Sequence, residues 1–171
     1  DAGFSFLSPD EYAEHLYGAP LAGPGVLLTF DDGYVSVLEH AAPVMSELGA
    51  AGVAFAVSAR VGQVNDWDAG EGAVPLPLLD APGLRRLTEL GWEIGSHSRG
   101  HAHLPQQSDA VLADELRGSR EDIGALGLPQ PRFLAYPYGE HDVRVRRAAR
   151  ASGYEVGFAL RTGRRLGREA G

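Results

Sequence analysis

The chain has 171 residues, 44% hydrophobic and 8% aromatic, and carries 15 basic against 23 acidic residues for a net charge of −8. That length fits one domain with a substantial core, and the negative field disfavours nucleic acid or an anionic membrane as partner. With no cysteine, disulfides, thiol nucleophiles and Cys-ligated metals are excluded, so any metal here must be held by His and Asp.

All of the basic residues are Arg, a compositional bias rather than a device, and the Arg-rich stretch from Arg144 to Arg168 reads as a solvated helix face and tail. The apolar runs fall well short of 18 residues, so no transmembrane segment is expected. A chain beginning at Asp1 reads as a fragment whose leader or anchor would leave no trace.

Along the chain, Ser8-Pro9-Asp10-Glu11 predicts a helix start, with Ser as cap, Pro in the first turn and Glu three residues on. Val26–Phe30 is a short apolar run between Gly25 and Gly33 and predicts a strand. It delivers Asp31 and Asp32, two adjacent carboxylates. A helix is expected over Tyr34–Leu48, with Val37, Ala41, Val44, Met45 and Leu48 at helical spacing, and then a strand over Val53–Val57.

Residues 62–80 lack periodicity and form a long excursion, a length that usually serves a site or is disordered. A short helix over Leu84–Leu90 leads to a strand, Trp92–Gly95, which delivers His97 and His101. The clearest helix spans Asp109–Leu126, capped by Ser108 and stopped by Gly127. A strand over Arg132–Tyr136 runs into Pro137-Tyr138-Gly139. The last pair is a helix over Asp142–Ala151 and a strand over Tyr154–Leu160.

This alternation predicts an α/β fold with a parallel sheet covered by helices. Polar clusters follow several strands at their C-terminal ends, which favours a (β/α) barrel over an open sheet with a single crevice. Five strands cannot close the usual eight-stranded barrel. The expectation is a curved sheet with a gap beside Tyr154–Leu160, probed by whether that strand pairs with Val26–Phe30.

Two imidazoles and one carboxylate supply three protein ligands for a divalent metal and leave positions for water and substrate. The second carboxylate of the pair can stay unliganded and take a proton from that water. Each cluster also has a plain structural reading. Asp31 and Asp32 could cap a helix beside the surface, and His97 and His101 could be exposed loop residues. If functional, the histidines are expected to face one way from a helical turn, with His103 off that face. Pro137-Tyr138-Gly139 is either a strand-ending turn or a device that aims the Tyr138 N–H at a substrate oxygen.

Thr29-Phe30-Asp31-Asp32-Gly33, His97-Ser98-Arg99-Gly100-His101 and Tyr136-Pro137-Tyr138-Gly139 resemble, in order and spacing, the first three motifs of the polysaccharide deacetylases of carbohydrate esterase family 4. The resemblance spans about Val26 to Leu160. It implies a distorted (β/α) barrel and removal of N-acetyl groups from N-acetylglucosamine-type glycans. By that resemblance Asp31 is the general base and Tyr138 gives the oxyanion N–H. Asp32, His97 and His101 would bind Zn²⁺ or another divalent cation such as Co²⁺ or Ni²⁺.

The chain departs from the pattern twice. Where many members carry an Arg that pairs with the base, Ala135 stands, followed by Tyr136. That variant resembles the branch acting on poly-N-acetylglucosamine, including domains fused to other modules, and its base needs an orienting group such as an Arg from elsewhere. The family's late acid His has no match, since only His141 follows Tyr138. The expectation is therefore one deacetylase domain over 1–171, lacking the last part of the barrel, which a missing C-terminal segment or partner would fill. Its substrate would be a glycan and its place outside the cell or in the envelope. The alternative is a catalytically weak, metal-retaining glycan-binding module, with Trp67, Tyr136 and Tyr138 as sugar-stacking faces.

Overall fold

The computed structural model describes residues 3–67 and 74–160. Chain order runs β1 (Ser5–Phe6), α1 (Pro9–Leu16), β2 (Gly25–Val26), β3 (Leu28–Phe30), α2 (Ala42–Glu47), β4 (Gly52–Ala56) and α3 (Ala81–Glu89). It continues with β5 (Glu93–Ser96), α4 (Asp109–Ala113), α5 (Ser119–Ala125), β6 (Phe133–Ala135), α6 (Val143–Ala151) and β7 (Val156–Phe158). Strands β3 to β7 form one parallel sheet in sequence order, curled into half of a barrel wall. Among the described residues β7 pairs with β6 and not with β3, so the wall is open between its two edges.

Alternation along the strands sorts side chains onto two faces. Val53, Phe55, Phe133, Ala135 and Val156 share one apolar cluster with Ala13 of α1. Ala54 and Ile94 turn the other way, onto Met45, Leu84, Leu87 and Ile123 of the covering helices. Leu134 likewise joins Leu112, Leu116 and Val145. The Phe55 ring lies over Gly95, its register partner in β5, where a Cβ would stand 2.4 Å from the ring. Any other residue there would displace that ring.

Helix α1 closes the inner face: Tyr12 stacks on Phe158 at 5.7 Å, and Phe158 also meets Phe55 and Phe133. Its start is the one the sequence predicts. Ser8 Oγ accepts from the Glu11 amide at 3.2 Å, and Glu11 accepts from the Ser8 amide at 2.8 Å. Replacing Ser8 by Ala should lower stability by about 1 kcal/mol, read as the midpoint shift in a urea titration; an unchanged midpoint would show that packing alone holds α1.

Three local expectations need correction. The run Val26–Phe30 is two strands, because Val26 pairs with Phe6 of the short strand β1, while Leu28–Phe30 join the main sheet. The helix expected from Tyr34 begins with a widened turn over Val37–Ala41, in which the Ala42 amide reaches back five residues to Val37 O. Pro43 follows, with no N–H to give and a ring that would crowd the preceding turn. The widened turn shifts the buried face: Ala42 and Met45 are buried, whereas Val44 and Leu48 are 57% and 60% exposed. The Asp109–Leu126 helix keeps its Ser108 cap, but a second widened turn, Asp114–Gly118, separates α4 from α5.

Candidate metal and catalytic site

Three polar clusters leave the C-terminal ends of β3, β5 and β6 and meet on one rim, as the sequence predicts for a barrel. After β3 the chain turns at once. The Gly33 amide donates to Asp31 O at 2.9 Å, and Asp32 and Gly33 are both left-handed, with φ of 69° and 75°. Gly33 also lies against Ala56, where a Cβ would sit 3.4 Å from the Ala56 Cα. This turn sends Asp32 inward, 20% exposed at its side chain, and leaves Asp31 on the exposed side.

His97 follows β5 directly, with 3% of its surface exposed. Its Nδ1–H donates to Ala135 O of β6 at 2.9 Å, which leaves Nε2 as a lone-pair donor facing the rim. His101 arrives by a different route from the one expected. No helical turn joins the two histidines; Ser98 and His101 both take left-handed backbone, with φ of 62° and 60°. The loop is braced within itself, by Ser98 Oγ accepting from the His101 amide at 3.0 Å, and from outside by the long helix. Glu115 accepts from the Arg99 and Gly100 amides at 3.0 and 2.8 Å, and Ser119 donates to Ser98 O at 3.1 Å. The Arg99 guanidinium spans Asp114 and Asp122.

Asp32 Oδ1 lies 3.4 Å from Nε2 of His97 and 3.4 Å from Nε2 of His101. The three ligand atoms fall within 4.8 Å of one another. Asp32 Oδ1 is buried and has no hydrogen-bond partner. A buried carboxylate oxygen left without a partner is costly, and a cation between it and the two imidazoles would satisfy it. Two nitrogens and one carboxylate oxygen suit Zn²⁺, Co²⁺ or Ni²⁺ rather than the all-oxygen shells of Ca²⁺ and Mg²⁺.

The two carboxylates differ electrostatically. Partial burial pushes the Asp31 carboxyl above its ordinary value; His97 and His101 oppose this and Asp32 adds to it. Burial acts on Asp32 in the same direction, but the His101 and His97 rings and the Tyr34 hydroxyl outweigh it, and its carboxyl lies below the ordinary range. For His97, burial dominates over the nearby carboxylates and favours the neutral, ligating form. The pair is thus split into a stable anion beside the histidines and a more basic carboxylate beside it.

Tyr138 sits in a turn with φ of 58°, 39% exposed. Its ring meets His101 edge-on at 4.7 Å and stacks on His103 at 4.0 Å. His103 is tied through Nδ1 to Glu140 at 2.9 Å and His141 through Nδ1 to Arg146 at 3.0 Å, and neither belongs to the ligand cluster. Among the described residues no arginine forms an ion pair with Asp31, so none of them is the orienting Arg expected from outside the motif. Of the three aromatic faces expected for sugar stacking, Tyr136 is only 7% exposed and belongs to the core, and Trp67 lays one face on His101 at 4.5 Å. The Arg161–Arg168 part of the basic stretch lies outside the described residues.

The family described as polysaccharide deacetylase matches residues 19–157. The chain belongs to the polysaccharide deacetylase family. Its relatives include the Bacillus subtilis protein YxkH, named as a polysaccharide deacetylase, 26% identical over 95% of this chain. Another is the poly-β-1,6-N-acetyl-D-glucosamine N-deacetylase of Staphylococcus epidermidis, 23% identical over 91% of this chain. The chain spans 54% of the length of each of these two. Among solved structures, IcaB from Ammonifex degensii superimposes with a TM-score of 0.79 at 25% identity, over 93% of this chain and 70% of that one. The deacetylase family and fold are therefore those the sequence predicts.

Sequence reasoning missed the braces of this candidate site. Glu115, Ser119 and Asp122 recur three or four residues apart on the long helix, next to the buried Leu116 and Ile123. That polar stripe beside an apolar one was a signal that the helix carries hydrogen bonds inward.

Proposed function

We propose that this domain hydrolyses the acetamide of N-acetylglucosamine-containing polysaccharide with the help of a divalent cation held by Asp32, His97 and His101. The observation that carries this reading is the partnerless, buried Asp32 Oδ1 between two imidazole Nε2 atoms, with a second, more basic carboxylate alongside. When bound, the cation supplies Lewis acidity to the substrate carbonyl and to the attacking water.

Asp31 takes the proton of that water, since its carboxylate is raised in basicity and kept off the ligand cluster. The Tyr138 N–H is assigned to the developing oxyanion, on a backbone held in the left-handed region where few side chains settle. Expelling the amine requires a proton, and the protonated Asp31 carboxyl is the acid that the described residues offer beside the cluster. The name of the Staphylococcus epidermidis relative and the Ala135-Tyr136 variant support poly-N-acetylglucosamine as substrate, which would place the enzyme at the cell envelope or outside the cell.

Acetate release from poly-N-acetylglucosamine, chitin oligomers and peptidoglycan tests this. Chelation should abolish acetate output, and Zn²⁺ or Co²⁺ should restore it, with the exopolysaccharide the best substrate. Output that survives thorough metal removal would overturn the mechanism, and a marked preference for chitin oligomers would overturn the substrate assignment.

A further inference from the structure

The excursion between β4 and α3 touches the ligand cluster at two points. Asn65 is 6% exposed although it lies in a loop. Its Nδ2 donates to the Tyr34 hydroxyl at 3.2 Å, its Oδ1 accepts from the Leu76 amide at 2.5 Å, and its own amide donates to Leu76 O at 3.2 Å. The Tyr34 hydroxyl in turn interacts with the Asp32 carboxylate. In the first of these contacts the amide nitrogen can only donate and the phenol oxygen accepts. Oδ1 of Asp32 stays without a hydrogen-bond partner.

The second contact is Trp67, whose ring lies nearly parallel to His101 at 4.5 Å and 18°. The two histidines are oriented by different means. His97 has its Nδ1 fixed by a carbonyl, whereas His101 Nδ1 is buried and has no hydrogen-bond partner. Metal-binding imidazoles ordinarily owe their orientation to such a bond. His101 is held by rings instead: Trp67 on its face, with Tyr138 and His97 edge-on at 4.7 and 4.9 Å.

We propose that Asn65 and Trp67 are positioning residues for the metal site, Asn65 acting through Tyr34 on Asp32 and Trp67 acting directly on His101. The excursion is then part of the site's rigidity, and by linkage a bound cation holds these two contacts by the same factor as they hold the cation. This rests on the metal reading above.

The test is Zn²⁺ affinity of the 171-residue chain, measured by competition with a chromophoric chelator. N65A and W67L should each weaken binding about tenfold or more, the range seen when outer partners of ligands are removed. W67F keeps an aromatic face and should stay within about threefold of the parent. Asp66→Asn breaks only the loop's exposed ion pair with Arg60 and should leave affinity unchanged.

A spectroscopic arm separates contact from loop order. Trp92, the other tryptophan, is buried against Phe30. Co²⁺ should therefore quench emission in the parent chain and not in W67F. Affinities of N65A and W67L equal to the parent's, Asp66→Asn as damaging as W67L, or quenching that persists in W67F would each overturn the proposal. A parent chain that binds neither Zn²⁺ nor Co²⁺ would instead overturn the metal site itself.

Discussion

Asp31→Asn should reduce turnover about a thousandfold, the order of a lost general base, while Zn²⁺ affinity stays within a few-fold of the parent. Asp32→Asn should lose the metal. The asymmetry follows from the turn after β3, which gives two adjacent side chains opposite surroundings. Asp32 lies inside, 3.4 Å from both Nε2 atoms, and the His101 and His97 rings with the Tyr34 hydroxyl hold its carboxyl below the ordinary range against the effect of burial. Asp31 lies outside the cluster with a carboxyl pushed upward. Metal content by atomic absorption, together with acetate release, separates the two roles. Equal metal loss in both variants would show that Asp31 is a ligand and not a base.

Glu115→Ala should cost about 3 kcal/mol of stability and weaken metal binding about a hundredfold, although Glu115 is not among the ligands. Its Oε2 accepts from two successive amides, Arg99 and Gly100, at 3.0 and 2.8 Å. Bonds to an ionised acceptor are the stronger kind, and amides stripped of it in a part-buried loop lose about 1–3 kcal/mol each. His101 follows Gly100 directly, so disorder there displaces a ligand, and ligand-orienting partners are worth ten- to hundredfold in affinity. Glu115→Gln keeps one acceptor oxygen and should fall between. Urea unfolding of the metal-free protein and chelator competition give the two readouts; a Glu115→Ala protein with the parent's affinity would show that the internal Ser98 bond suffices to hold the loop.

The sequence made the strands, the caps and the three motifs legible because each depends on neighbours a few residues away. Ser8 with Glu11 and Ser108 with Val111 are such cases. The histidine spacing was also visible, but not the path between them. A period of four suggests a helix, and only the hydrogen bonds of Ser98, Glu115 and Ser119 reveal the left-handed loop that brings the rings together instead. Splitting Val26–Phe30 required knowing that Ser5–Phe6 would pair with its first part. Tyr136 looked like a sugar platform because polarity at a motif suggests exposure, yet it faces the core beneath α6. The stack of Trp67 on His101 joins residues 67 and 101, and no local pattern encodes it.

Among the described residues, four that are not glycine hold left-handed backbone, namely Asp32, Ser98, His101 and Tyr138, and all belong to the rim that carries the chemistry. Each such conformation costs on the order of 1–3 kcal/mol, against a total of about 5–15 kcal/mol for a typical domain. The sheet and its helices therefore hold the rim in a shape it would leave if released. On warming, the rim is the region with most to gain from letting go, so loss of activity should precede melting of the sheet. Selection for heat resistance alone would drift toward glycine at these four positions, and would retain the scaffold while the catalyst disappeared.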